Sequence, residues 1–319
     1  MSLLSKVHRG PQQRPHFVGL YGVGGVGKST FGAAAPSPIF LGTDDGVGTM
    51  NVASFPIPST WMDVKAAIAD LLNEKHEFES LVIDTVNGLE PLVWAHVCKE
   101  SNCKSIEDVD GGFGKGYVRA EEEWIEFFKS LKRLRSKMNV ICLGHAKVKT
   151  VEHIEEGERF DRYLLKMHDR SAAIFLESVE CMFFASYRIQ FRKAKGEKKS
   201  KAFGEGVRVM YTEERPAFQA KNRFSLPFEM DLSWDDFVTA AAAKVGTAPP
   251  DQLEKLVAGK EEAVMAYLVE LKWLPAGAPL SALKTAKRKP ILERPTEFLD
   301  AAEEFFSKQN EPKPTTETE

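Results

Sequence analysis

Cysteine is scarce here, four in 319 residues, and none forms a C-x-x-C pair. Cys98 and Cys103 lie near His96, but the group lacks the second ligand pair that a zinc site needs. Reduced thiols are the expectation, with Cys142 and Cys181 inside apolar stretches. No apolar run approaches the length of a membrane helix. The stretch from Met1 to Pro15 is basic and polar, without a signal-peptide core. A cytoplasmic protein with no membrane partner is expected. Strong net charge is also missing, since the chain carries −3. A generally basic chain is excluded, whereas a local basic patch is not. Such a patch runs from Arg188 to Lys201, with Glu197 its lone acid.

What is present is 43% hydrophobic residues, enough for one large α/β domain and a small appendage. Residues 16–22, 38–41, 80–84 and 139–144 read as short buried strands. Helical patterns fall at 28–35, 61–73, 89–100, 120–137 and 169–178. Residues 101–118 and 146–166 are polar, aperiodic segments. Shorter strands are expected at 181–187, 188–191, 207–211 and 217–220, with the basic run as a hairpin turn. Alternation followed by antiparallel additions predicts an α/β fold with a mainly parallel sheet extended at one edge. A break near 246–250 separates it from short helical patterns at 251–258, 260–272, 280–287 and 295–308. The expected plan is a tail at 1–15, a core at 16–245, a small helical C-terminal module at 246–308 and an acidic tail at 309–319.

Gly22-Val23-Gly24-Gly25-Val26-Gly27-Lys28-Ser29 fits G-x-x-x-x-G-K-[ST], between a strand and a helix and followed by Thr30. Glycines let the backbone curl until several N–H groups point at phosphates, and the helix start adds positive charge. Lys28 is expected to reach the β- and γ-phosphates and Ser29 to ligate Mg²⁺. ATP with Mg²⁺ is the implied cofactor. Asp84 ends the apolar run Leu81-Val82-Ile83, and its strand is expected beside the cradle, where a carboxylate holds the magnesium shell. Asp44 or Asp45 could orient the attacking water, or both could lie in a solvated turn. His145, after the strand at 139–144, is either a γ-phosphate sensor or a satisfied polar group.

In Phe40–Gly46 (FLGTDDG), Gly114–Val118 (GKGYV), Tyr163–His168 (YLLKMH) and Ala220–Pro227 (AKNRFSLP) the chain resembles the RecA-like ATP-binding proteins of bacteriophages. These are compact relatives of RecA associated with single-strand annealing and recombination, and the resemblance covers about residues 14–232. It implies a RecA-like P-loop NTPase core hydrolysing ATP at subunit interfaces of a homo-oligomer, filament or ring. Asp44 falls where the family usually carries glutamate, one methylene longer, so slower or water-bridged hydrolysis is implied. Lys221 and Arg223 fall where RecA-type proteins place cations that reach the neighbour's γ-phosphate. The two polar segments fall at the DNA-binding loops. They imply single-stranded DNA contacts from Lys115 and Arg119 in the first and from Lys147, Lys149, Arg159 and Arg162 in the second, with Phe113 or Tyr117 stacking on a base. Glu152, Glu155, Glu156 and Glu158 would partly oppose DNA. A single-strand-binding protein is an implied partner. RecA's N-terminal docking helix has no full counterpart, and only Ser2–Val7 is placed to serve in short form.

Two other functions fit a phosphate cradle. One is a nucleotide-gated assembly or regulatory protein with little hydrolysis. The other is a small-molecule P-loop kinase, which needs an acceptor pocket and a basic lid.

Overall fold

The structure is a computed structural model. It describes residues 7, 14–46, 48–152, 156–188, 190–192, 201–203, 206–245, 252–257, 259–275, 278, 280, 283, 287, 291 and 294–309. The tip of the basic run, Glu155, Ser2–Lys6 and most of the helix expected at 280–287 lie outside these residues. The chain divides into two compact units, residues 1–247 and 248–319.

The first unit begins with β1 (Phe17–Gly22), the phosphate-loop turn and α1 (Lys28–Ala33), followed by β2 (Pro38–Gly42) and β3 (Ala53–Ser54). Then come α2 (Trp61–Asn73), β4 (Ser80–Asp84), α3 (Val86–Glu100), a 3₁₀ turn (Ile106–Gly111) and α4 (Lys115–Leu134). β5 (Asn139–Glu152), β6 (Arg159–Leu165), α5 (Asp169–Ser178) and β7 (Cys181–Tyr187) follow. β8 (Gln190–Arg192), β9 (Lys201–Phe203), β10 (Arg208–Tyr211), β11 (Glu229–Asp231) and α6 (Trp234–Val245) complete it.

The sheet order is β11-β10-β7-β1-β5-β4-β2-β3. The strands from β7 to β3 are parallel, whereas β10 and β11 add antiparallel at one edge. This is the α/β architecture expected. Alternation along β1 shows why both faces are covered. Phe17 and Tyr21 enter a core formed with α2, α3, α4 and α5. Val18 and Leu20 enter a second core with Phe31 of α1 and Trp234 and Phe237 of α6. In the first core Trp124 lies in ring contact with Trp61, Phe127 and Phe128, and Phe128 stacks on Phe175. The stripe expected on α4 thus anchors two neighbouring helices, α2 and α5.

Several expected elements differ. Helix α4 starts at Lys115, five residues before the expected Ala120, because Gly114 takes a left-handed N-cap (φ 78) that the Gly-rich run disguised. Much of segment 146–166 is strand rather than loop: β5 continues to Glu152 and pairs antiparallel with β6. Charged residues on alternate positions masked its period of two. Residues 217–220 form only isolated bridges. Helix α6 was not anticipated.

The second unit has its own core. α7 (Gln252–Val257), α8 (Glu261–Glu270) and α9 (Pro295–Gln309) contribute Leu253, Val257, Val264, Leu268 and Ala302, joined by Leu274, Leu283 and Ile291.

Candidate nucleotide-binding site

Parallel register brings the candidate residues to one edge. Gly22 ends β1 opposite His145 of β5, Asp84 of β4 lies opposite Leu143 of β5, and Gly42 of β2 lies opposite Asp84. One correction concerns Asp84. Its strand does not adjoin the cradle strand, because β5 lies between them.

The cradle is shaped by local sterics. Gly25 and Gly27 have φ of 73° and 104°, conformations that cost a residue bearing Cβ. A Cβ at Gly22 would lie 2.2 Å from the Ala185 carbonyl oxygen. Around the loop is an open cavity of about 370 Å³, lined by Gly25, Gly27, Lys28, Ser29, Thr30, Asp44, Gly46, Asp84, Thr85, His145 and Arg208. The Val26 side chain is buried in the core instead, fixing the loop from below.

Lys28 is only 5% exposed, yet its Nζ is held mainly by backbone carbonyls, at 3.0 Å from Val23 and 3.4 Å from Gly22. Burial pushes its pKa down, and nearby Asp84 partly offsets this. Ser29 Oγ donates to Asp84 Oδ2 at 2.6 Å. Burial pushes the Asp84 carboxyl up, against the Ser29 hydrogen bond, which favours its ionised form. A buried ammonium and an elevated carboxylate beside an open glycine-lined cavity form a donor set suited to phosphate and magnesium together. Lys28 and the loop amides would hold the phosphates, and Ser29 with Asp84 would hold Mg²⁺, which supplies charge neutralisation to the transferred phosphoryl group.

His145 Nδ1 is 3.5 Å from Lys28 Nζ, and the His145 backbone N–H donates to Asn87 Oδ1 at 2.8 Å. Burial, then the Lys28 charge, lowers the His145 pKa. Of the two acids at 44–45 only Asp44 lines the cavity, on an exposed turn where its Oδ1 accepts from Gly46 N–H at 2.9 Å.

The DNA candidates stand on ordered elements and already have partners. Lys115 Nζ donates to Asp110 O at 2.9 Å, and Arg119 pairs with Asp110 at 2.9 Å, both from α4. Lys147 and Lys149 on β5 share Asp169 at 3.3 and 2.7 Å. Arg159 meets Glu152 at 3.6 Å, and Arg162 pairs with Glu214. Tyr117 stacks on His168, with centroids 4.3 Å apart, so its ring is engaged within the protein, whereas Phe113 is fully exposed. Lys221 and Arg223 are absent from the cavity lining. The Lys221 backbone bridges Met182 near the opposite end of β7, and its Nζ donates to the Leu176, Glu177 and Val179 carbonyls. Arg223 is exposed. The cysteines are free thiols. His96 instead meets Glu100 and Glu123 at 3.3 and 3.8 Å. Arg208 and Tyr187 escaped sequence reasoning, since only the β7–β10 register brings them to the loop.

The family model described as AAA domain (AAA_24) matches residues 14–224, the span that carries this site. The chain belongs to this AAA domain family. A P-loop ATPase domain is thus established at the level of the family. The chain also shows similarity, 23% identity over 131 residues, to the SPbeta prophage-derived uncharacterized protein YorG of Bacillus subtilis (strain 168). That alignment spans 40% of this chain and 40% of the relative's length. Among the described residues no helix is long and apolar enough to cross a membrane.

A pH test follows from Asp84. Its folded pKa is raised, so the folded state holds a proton that the unfolded chain releases, and stability is lost as pH climbs. Asp84→Asn in the ligand-free protein is expected to match wild type in strong acid. It should gain relative stability from the ordinary carboxylate range upward and level off above the raised value. Denaturant melts across pH check this, and a difference that shrinks as pH rises would contradict the assignment.

Proposed function

We propose that this protein is a phage-type ATPase that binds single-stranded DNA and acts in recombination or annealing as a homo-oligomer. ATP is hydrolysed at subunit interfaces with Mg²⁺ on Ser29 and Asp84, and Asp44 positions the water. One observation carries this reading. Strand β5 runs without a break from His145, beside the phosphate lysine, to Lys147 and Lys149 on the β5–β6 hairpin. A change at the phosphate can thus bias a rigid element that bears candidate DNA contacts. Helix α4, which starts within the first candidate DNA segment, meets the start of α5 just beyond the second, through the Tyr117–His168 stack and the Arg170–Glu121 pair. The exposed ion pairs of Arg119, Lys149 and Arg159 are worth little each, so DNA phosphates can displace their acids. Phe113 is left for base stacking. A single-strand-binding protein is the partner class this reading favours.

The test is ATP turnover with and without single-stranded DNA at 50 and 200 mM salt. Stimulation is expected at the lower salt. If about four phosphates are neutralised, DNA affinity should fall roughly fiftyfold between the two conditions. Turnover indifferent to DNA would overturn the reading.

A second reading, a nucleotide-gated assembly or regulatory protein, draws on Asp44, which is short, exposed and already bonded to Gly46. It predicts ATP binding with almost no turnover. A small-molecule kinase would require turnover that depends on an added acceptor.

A further inference from the structure

Strand β10 places Arg208 directly across from Tyr187 at the end of β7 that faces the phosphate loop. Tyr187 Oη donates to the Gly25 carbonyl at 3.0 Å. The Arg208 side chain lies against Gly27: a Cβ built there would be 3.0 Å from Nη1 and 3.6 Å from Cδ. The neighbouring Arg188 is paired with Glu229. Arg208 itself has no ion-pair partner among the described residues, though it lines the cavity. An unpaired guanidinium held against a phosphate loop has its strongest available interaction with phosphate oxygens, which its fork geometry matches.

Sheet order assigns the side of approach. Asp84, His145 and Asp44 come from β4, β5 and the end of β2, all on one side of β1, whereas Arg208 comes from β10 on the other. We propose that Arg208 binds, in cis, the inner phosphates that ATP and ADP share, and that Tyr187 is a positioning residue holding the loop beneath it. This rests on the nucleotide-binding reading of the loop. It adds a second cation with a different duty, since Lys28 serves the outer phosphates and Arg208 retains the nucleotide whether or not the γ-phosphate has left.

The test measures Kd for Mg·ATP and for Mg·ADP by calorimetry on the full chain. Loss of a charge-assisted bond predicts that Arg208→Ala weakens both about ten- to a hundredfold, leaving their ratio and the ligand-free melting temperature unchanged. Arg208→Lys should fall between, since it keeps charge without the fork. Tyr187→Phe should weaken both a few-fold at unchanged melting temperature, a change that a purely structural tyrosine would not give. Unchanged affinities in Arg208→Ala overturn the proposal, as does a loss confined to ATP. Lys28→Met separates this from failure of the site itself. If Lys28→Met also binds ATP like wild type, the nucleotide reading falls. If Lys28→Met loses ATP while Arg208→Ala does not, only the role of Arg208 falls.

Discussion

Lys28→Met is expected to lower ATP turnover at least about a hundredfold, the scale of losing one preorganised charge at a developing anion. The folded protein should survive. Lys28 Nζ is nearly buried, and its carbonyl bonds to Gly22 and Val23 do not offset the desolvation that lowers its pKa. Methionine keeps the stem, which packs in the same slot, and removes the cost of burying charge. The measurement is thermal unfolding beside turnover. Wild type with Mg·ATP at 100 times Kd should gain about 2.7 kcal/mol, whereas the variant should gain almost nothing while melting normally without ligand. A variant that unfolds without ligand would instead assign Lys28 to the scaffold. The substitution also bears on Asp84, whose ionised form Lys28 favours. Magnesium binding should therefore weaken along with phosphate binding, because the two charges share one site.

The parts of this site legible in the sequence are those whose physics is local. Gly22 to Ser29 announces itself because a phosphate loop needs glycines at fixed spacing, and Asp84 because an apolar run ends in a carboxylate. What the sequence withheld depends on strands meeting. That β5 separates β1 from β4 is a fact of sheet order, and no local pattern encodes it. Arg208 looks like an ordinary basic residue until β10 is paired with β7. The β5–β6 hairpin was partly legible: Val148 and Thr150 alternate with Lys147 and Lys149, a period of two obscured by charge. Its lysines found Asp169, a pairing that depends on tertiary approach. Helix α6 had a readable start. Ser233 caps the Asp236 N–H at 3.2 Å, the side-chain cap that a Ser before a helix supplies.

Arg223→Ala is expected to cut turnover about a thousandfold or more while leaving ATP binding nearly intact, the signature of a cation supplied to a neighbour's γ-phosphate. The structure separates it from Lys221, with which the sequence grouped it. Lys221 Nζ bonds the Leu176 and Val179 carbonyls at 2.7 Å each, and Glu177 at 3.3 Å, closing the C-terminal end of α5. Cations there satisfy carbonyls the helix leaves unpaired. Lys221→Ala should therefore lower stability by about 1–3 kcal/mol and change turnover per folded molecule little. Arg223 is exposed and has no ion-pair partner among the described residues, which leaves its guanidinium available to a second copy. Mixing decides the question. Arg223→Ala subunits keep an intact phosphate loop, and Lys28→Met subunits keep an intact Arg223. If each site joins one subunit's loop to the next subunit's arginine through a heterologous interface, a 1:1 mixture of the two inactive variants should recover activity at roughly a quarter of its interfaces. A mixture as inactive as its components, or an Arg223→Ala protein that has lost ATP binding in equal measure, would place Arg223 outside the neighbour's site.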